Sequence, residues 1–199
     1  MKKLYLLLLV FPFALNAENI KLPTPVKNGG KPLMEALNAR QSTRVFSEKE
    51  LSANTLSNLL WAAFGYNRTD KRTAPSAMNK QSIDIYVATK NGIYLYDAKQ
   101  NELQMKVKGD YRKQTGMQPF VGSAFMEIVY VAKNVSDNNE MLYADCGFIA
   151  QNVYLYCASE NLGTVVRGSV PKEKLAKILG LSDKNRILLC QTVGYKKIK

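Results

Sequence analysis

The stretch with the clearest chemical potential is the run Arg40-Gln41-Ser42-Thr43-Arg44. Successive side chains of an extended segment point to opposite sides, so positions 40, 42 and 44 would share one side. Two guanidinium groups present paired donors that match the oxygens of a phosphate, and a serine hydroxyl adds another donor. The pattern suits a phosphate-binding site, but the motif alone favours a solvated basic turn that leads into a helix, so the rest of the chain has to decide between the two.

Several classes of active site are excluded by composition. The 199 residues contain no histidine, which removes Ser-His-Asp triads, Cys-His pairs and most zinc sites. The three cysteines, Cys146, Cys157 and Cys190, form no C-x-x-C motif and lie in apolar surroundings, which favours small buried side chains over redox or metal-binding roles. One disulfide is left open. We predict no metal site, and in an enzyme of this composition a cofactor would supply the reactive centre.

The first 17 residues are typical of a secretory signal peptide. A basic start at Lys2 and Lys3 precedes an apolar run over residues 4–15, and Ala17 offers a small residue for cleavage. The apolar run is too short for a comfortable membrane span, and a buried N-terminal helix is the alternative. We expect export, to a bacterial periplasm, with no stable membrane insertion once the signal is removed.

The chain carries a large positive charge. Removal of the signal takes away two lysines and no acidic residue, so the net charge falls from +12 to +10. Such a surplus favours an anionic partner, which could be nucleic acid, a membrane surface or a phosphorylated ligand. The basic residues are spread along the chain and export disfavours nucleic acid, so a phosphorylated cofactor fits best.

The elements that would position the motif form one domain. Residues 18–31 carry Pro23, Pro25 and two glycines and are predicted to be an extended arm, and residues 32–199 are predicted to be a single domain without repeats. Periodicity and turn signals predict helices near 33–39, 51–65, 139–161 and 171–179, and strands near 83–87, 93–96, 103–107, 126–132, 164–166 and 187–194.

The longest helix is expected to begin after Asn138 or Asn139 and to end near Asn161. Asp145 is its one charged residue between positions 141 and 158, so the helix must be buried on most faces, in a core or against a second subunit. Gly163 suits the left-handed position that closes such a helix.

A second feature is the polar loop over residues 66–82. It has the length that usually carries function when a loop is ordered.

Together, these segments resemble the nitroreductase-like FMN oxidoreductase family over essentially all of residues 32–197. The resemblance is carried by the Arg-x-Ser-x-Arg run at 40–44, by the run Pro-Ser-Ala-Met-Asn-Lys-Gln at 75–81 before a strand, and by the long apolar helix that ends in Leu-Gly-Thr at 162–164. It implies an α+β fold with a mainly antiparallel central sheet flanked by helices. It also implies a homodimer with FMN at the interface, in contact with both chains.

The resemblance also assigns roles to individual residues. Arg40, Ser42 and Arg44 would hold the FMN phosphate and ribityl chain with help from Gln41. The isoalloxazine ring would be lined by Pro75, Ser76 and Asn79 and reached by Gln81, and a turn at Gly163 and Thr164 would aim a backbone N–H at flavin N5. The basic pair nearest to the family's C-terminal phosphate grip is Lys196 and Lys197. No catalytic acid or base is implied.

The expected reaction is passage of hydride through flavin N5 in two half-reactions, from a reduced donor to a small organic acceptor of nitroaromatic or quinone type. NAD(P)H is the usual donor, but it is scarce outside the cytoplasm. Two alternatives remain. One is an FMN-dependent dehydrogenase of a ring or peptide-derived substrate, as in azoline-oxidising relatives. The other is a non-catalytic exported module that binds an anion or a membrane surface.

Overall fold

The computed structural model describes residues 18–135 and 140–197, so the predicted signal peptide and the predicted cap at Asn138 or Asn139 lie outside the described residues. Within these ranges the chain forms one antiparallel sheet with helices on both faces. The strands are β1 (Ile20–Lys21), β2 (Ile83–Ala88), β3 (Gly92–Asp97), β4 (Glu102–Lys108), β5 (Met126–Ala132), β6 (Leu162–Arg167) and β7 (Arg186–Tyr195). The helices are α1 (Leu33–Ala39), α2 (Ala53–Phe64), α3 (Glu140–Ser159) and α4 (Lys172–Leu179).

The sheet has the strand order β1-β4-β3-β2-β5-β7-β6, and every neighbouring pair is antiparallel. Strand β5 lies between β2 and β7, and all seven of its residues are buried. A strand covered on both faces needs apolar side chains at nearly every position, which is why its sequence is apolar except at Glu127. The α+β class and the antiparallel sheet are therefore confirmed.

Two apolar clusters lie on opposite faces of the sheet. The larger one joins side chains of α2 and α3, such as Leu60 and Val153, to alternate residues of the strands, such as Ile85 and Ile128. The smaller one places Leu175 of α4 against the other set of strand residues. Helices α1 and α2 both pack on α3, which makes α3 the centre of one layer. Among the helices of the described residues, none has the length and apolar character needed to cross a membrane.

The arm that precedes α1 is fixed to the domain. Its strand β1 pairs with β4, and Asn101 Nδ2 donates to the carbonyl oxygen of Pro23 at 2.7 Å. Further along, the Lys31 N–H donates to Ser159 Oγ at the end of α3, at 2.7 Å. These bonds fix the entry of the chain into α1 and hence the position of the Arg40 motif that follows it.

Candidate functional site

Arg40 and Ser42 meet at one side chain, Tyr154 of α3. Helix α1 ends at Ala39, and Arg40 has extended backbone angles, φ −62° and ψ 123°. The guanidinium carbon of Arg40 lies 5.3 Å from the centroid of the Tyr154 ring, and Ser42 Oγ lies 3.0 Å from Tyr154 Oη. Arg40 and Ser42, two of the three positions predicted to share one side, therefore contact the same side chain.

The segment that follows is held between the start of β6 and the end of β7. The Thr43 N–H donates to the Thr164 carbonyl oxygen at 2.9 Å, and the Ser47 N–H donates to the Tyr195 carbonyl oxygen at 2.9 Å. An antiparallel bridge joins Phe46 to Lys196. The chain beyond β7 therefore runs beside the Arg40 motif, as a C-terminal phosphate grip would require.

Together these contacts form a narrow recess with cationic and polar groups at its rim. Gln41, Tyr154, Thr164 and Lys196 line it together with apolar side chains. Arg40 and Lys196 are half-buried, whereas Gln41, Ser42, Arg44 and Lys197 are exposed. The structure thus brings Lys196 to the predicted phosphate site, and Lys197 lies beside Val45, to whose carbonyl oxygen its N–H donates at 3.3 Å.

The cations of the Arg40 motif and of the chain after β7 form no ion pair with an acidic residue in the described part of the chain. Five ion pairs occur among residues 18–135 and 140–197, and none of them includes Arg40, Arg44, Lys196 or Lys197. Paired cations are partly neutralised, whereas unpaired cations that converge on one place attract an anion and can bind it by charge-assisted hydrogen bonds.

The polar loop forms a second cluster, close to the start of α3. Its backbone is anchored by Asp145, whose Oδ1 accepts a hydrogen bond from the Ala77 N–H at 3.0 Å. Within the loop, Ser76 Oγ accepts from the Gln81 N–H at 3.0 Å. The side chain of Gln81 accepts from Arg72 Nε at 2.8 Å and donates to the Asp70 carbonyl oxygen at 2.7 Å.

Three residues of this loop, Met78, Asn79 and Gln81, adopt left-handed backbone angles with φ of 50°, 54° and 50°. Such angles are uncommon outside glycine, so the loop is held in its shape by its own hydrogen bonds and by Asp145. Met78 is 81% exposed at its tip, and Pro75 and Asn79 are exposed as well. A loop that is ordered and has an exposed edge can contact a ligand or a second subunit.

The recess beside the Arg40 motif and the polar loop lie apart from each other within one chain. Asp145 and Tyr154 are nine residues apart on α3, which is about 14 Å along the helix axis. No hydrogen bond in the described part of the chain joins residues 40–44 to residues 75–81. The structure therefore brings together Arg40, Gln41, Ser42, Thr164 and Lys196, and it keeps Pro75, Ser76, Asn79 and Gln81 in a separate group.

The prediction of a helix cap and a turn at Gly163 is wrong. Asn161 takes the left-handed position after α3, with φ 56°, and both Gly163 and Thr164 lie inside β6. Glycine is needed at 163 because a Cβ there would lie 2.7 Å from Thr43 Cγ2. Residues 42–46 pack against this strand. The expectation that one of its N–H groups faces flavin N5 stays a prediction.

The cysteines are buried and free within the described residues, as the apolar surroundings predicted. Burial raises the pKa of Cys146 to about 12 and raises the pKa of Cys157 and Cys190 further. Thiols with such pKa values are almost entirely protonated near neutral pH and are poor nucleophiles and metal ligands. They contribute packing, and one of them, Cys157, lines the recess.

Sequence reasoning missed two residues that hold these clusters, Tyr154 and Asp145. Tyr154 is one of several aromatic residues in an apolar helix, and its partner Ser42 is 112 residues away, so no local pattern marks it. Asp145 did carry a signal, because it is a lone carboxylate in an apolar stretch and is only 4% exposed. A buried carboxylate needs hydrogen-bond donors, and here one donor is the backbone of the loop.

Comparisons with known proteins agree with this geometry. The model of the Nitroreductase family matches residues 37–195. A Methanocaldococcus jannaschii protein described as a nitroreductase is 28% identical over 186 residues, which cover 82% of this chain and 91% of that protein. A Ralstonia eutropha structure described as a nitroreductase superposes with a TM-score of 0.87 at 40% identity, covering 92% of each chain.

A Clostridium difficile structure described as an FMN-dependent nitroreductase shares the fold, with a TM-score of 0.60 at 16% identity, covering 83% of this chain and 88% of that one. The family match covers most of the chain, and it includes the Arg40 motif, the polar loop and strands β2 to β7. The chain therefore belongs to the nitroreductase family, a family of flavin oxidoreductases.

Proposed function

We propose that the protein is an FMN-dependent oxidoreductase that passes hydride from a reduced donor to a small organic acceptor of nitroaromatic or quinone type. Bound FMN would supply the hydride chemistry at its N5 atom, and the two half-reactions would use the same site in turn. Such chemistry needs no histidine and no metal from the chain, in keeping with its composition.

One observation carries the proposal, the contact of Arg40 and Ser42 with Tyr154 beside a recess that Lys196 also lines. A phosphate dianion held without a metal needs several charge-assisted hydrogen bonds. Lys196 lines the recess, and Arg40 and Ser42 contact its lining residue Tyr154, so they add a second positive charge and a hydroxyl next to it. This donor set fits the phosphate of FMN, and we assign Arg44, Gln41 and Lys197 to its outer rim.

The second cluster fits the ring end of the same cofactor. The exposed residues Pro75 and Asn79 and the half-buried Ser76 present a rigid edge that can lie against a flat ring and exclude water from it. Gln81 has both ends of its amide bound inside the loop, so its role is to shape this edge. Because the two clusters are apart in one chain, we propose that each cofactor lies between the recess of one protomer and the loop of its partner.

A homodimer also accounts for the exposed apolar side chains. On α1 and α3 the exposed fractions are large: Leu33 63%, Met34 74%, Leu37 41%, Met141 60%, Tyr143 43% and Phe148 47%. Helix α3 buries one face in the core, as its apolar sequence predicted, but the remaining apolar face has no cover within the described residues. A second copy would cover this face and complete the site, as isologous dimers do.

We expect the substitution Phe148→Glu to turn the dimer into a monomer and to weaken FMN binding, because a charge at the centre of an apolar interface is left without a partner. Light scattering coupled to gel filtration gives the mass. Lys177→Glu on α4, on the opposite face of the sheet, is the control and should stay dimeric. A Phe148→Glu protein that remains dimeric would contradict this placement of the interface.

The oxidoreductase itself is tested with purified protein. We expect a yellow protein whose flavin absorption bleaches under anaerobic conditions with NADH, NADPH or a quinol, and recovers when a nitroaromatic or quinone acceptor is added. Quinols are included because export of the chain, which we also propose, would place it where NAD(P)H is scarce. A colourless protein that does not take up added FMN would refute the proposal and favour an anion-binding module.

A further inference from the structure

We infer that Tyr154 is the positioning residue of the phosphate grip, because it fixes the distance and orientation between Arg40 and Ser42 before any anion arrives. The inference rests on the proposed FMN site. Tyr154 is 8% exposed, and its ring is enclosed where α3 packs on β6. One rigid side chain therefore contacts two of the three residues of the predicted motif, Arg40 and Ser42.

The hydroxyl of Tyr154 is itself held by the sheet. Its Oη accepts a hydrogen bond from the Val166 N–H of β6 at 3.0 Å and lies 3.0 Å from Ser42 Oγ. A phenol has one proton to donate, and here that proton can point to Ser42 Oγ. Ser42 can then donate its own proton to an anion, so the chain from Val166 through Tyr154 to Ser42 is polarised toward the phosphate.

The ring of Tyr154 acts on Arg40. The guanidinium lies over the ring face, at 5.3 Å from its centroid, within the range of a cation–π contact. Arginine has a long flexible side chain, and the contact restricts it before binding, which reduces the ordering that the ligand must otherwise impose. The ring and the hydroxyl thus orient the two donors that stand on alternate positions of an extended segment.

The test compares two flavins that differ in the phosphate. We expect Tyr154→Phe to lower the affinity for FMN about three- to tenfold, as expected for loss of one hydrogen bond, and to leave the affinity for riboflavin within about twofold. Flavin fluorescence titration measures both. Tyr156→Phe is the matched control, since this neighbouring tyrosine of α3 donates to the Thr55 carbonyl oxygen at 3.3 Å, away from the recess.

A double variant tests whether the two hydroxyls act through each other. We expect Ser42→Ala with Tyr154→Phe to lose no more FMN affinity than Ser42→Ala alone. Equal losses for FMN and riboflavin, fully additive losses, or no loss with Tyr154→Phe would each overturn the inference while leaving the FMN site in place. A wild-type protein that binds no FMN would instead refute the proposed function.

Discussion

Replacing Arg167 by methionine is expected to lower the free energy of unfolding by about 3–5 kcal/mol, the scale found when one partner of a buried ion pair is removed. Arg167 Nη2 lies 2.6 Å from Glu127 Oε2, and their side chains are 2% and 0% exposed. Methionine fills much of the volume of arginine but leaves the carboxylate of Glu127 without a counter-charge in the interior.

The pair also ties a long loop to the sheet. Glu127 accepts a hydrogen bond from the Thr192 hydroxyl at 2.7 Å and from the Gly122 N–H at 3.0 Å. On the other side, Arg167 Nη1 donates to the Thr115 carbonyl oxygen at 2.9 Å. Removal of Arg167 therefore breaks the contact that fixes Thr115 to β6, in addition to leaving a buried charge.

The loss of stability in Arg167→Met should increase with pH. Burial raises the pKa of Glu127, and Arg167, Gly122 and Thr192 oppose that rise, so removal of Arg167 raises the pKa further. A carboxyl group whose pKa is higher in the folded state than in the unfolded state, where it is about 4.3, makes folding less favourable as pH increases above that value. The free energy of unfolding that Arg167→Met loses relative to the wild type should be smaller at about pH 5 than at about pH 8.

Urea unfolding at both pH values measures the effect, and a surface pair provides the control. Lys133 Nζ lies 2.9 Å from Asp84 Oδ1, with side chains 40% and 25% exposed, so Lys133→Met should cost less than about 1 kcal/mol. Neutralising the remaining carboxylate, in the double variant Arg167→Met with Glu127→Gln, should recover part of the loss. A single Arg167→Met variant as stable as Lys133→Met would contradict the buried-pair interpretation.

The elements of the fold were largely predictable because their burial patterns are simple. The apolar run of β5 predicted an interior strand, and the 3.6-residue stripe of α2 predicted a helix packed on the core. The prediction failed at Gly163, where the glycine was interpreted as a helix cap. Its real cause is a tertiary contact with Thr43, and a sequence does not show how closely two distant segments approach.

The site was predictable to the extent that it is local. Alternation along an extended segment was enough to place Arg40 and Ser42 on one side, whereas the signal of a lone carboxylate at Asp145 was not interpreted as a buried polar contact. Tyr154 was not predictable, because its role depends on α3 lying against the end of α1. The sequence also did not predict that the loop and the recess are separate, because this depends on which residues of α3 each of them contacts.

Replacing Arg40 by alanine is expected to weaken FMN binding by about 1.5–3 kcal/mol, or roughly tenfold to 150-fold, which is the usual scale for hydrogen bonds to charged groups. Arg40 is half-buried and stacked on Tyr154, so its guanidinium is oriented before the ligand binds. Titration of the apoprotein with FMN gives the dissociation constant. The same loss should reduce the thermal stabilisation that saturating FMN confers on the fold.

Arg186 offers a matched control for this test. It is an exposed arginine at the other end of β7, about 30 Å from the recess along a ten-residue strand, so Arg186→Ala changes the net charge equally without touching the grip. An affinity unchanged in Arg40→Ala would mean that the phosphate binds elsewhere. Equal losses in both variants would mean that the overall positive charge, rather than the geometry at Tyr154, attracts the cofactor, and the dependence on salt would then be steep.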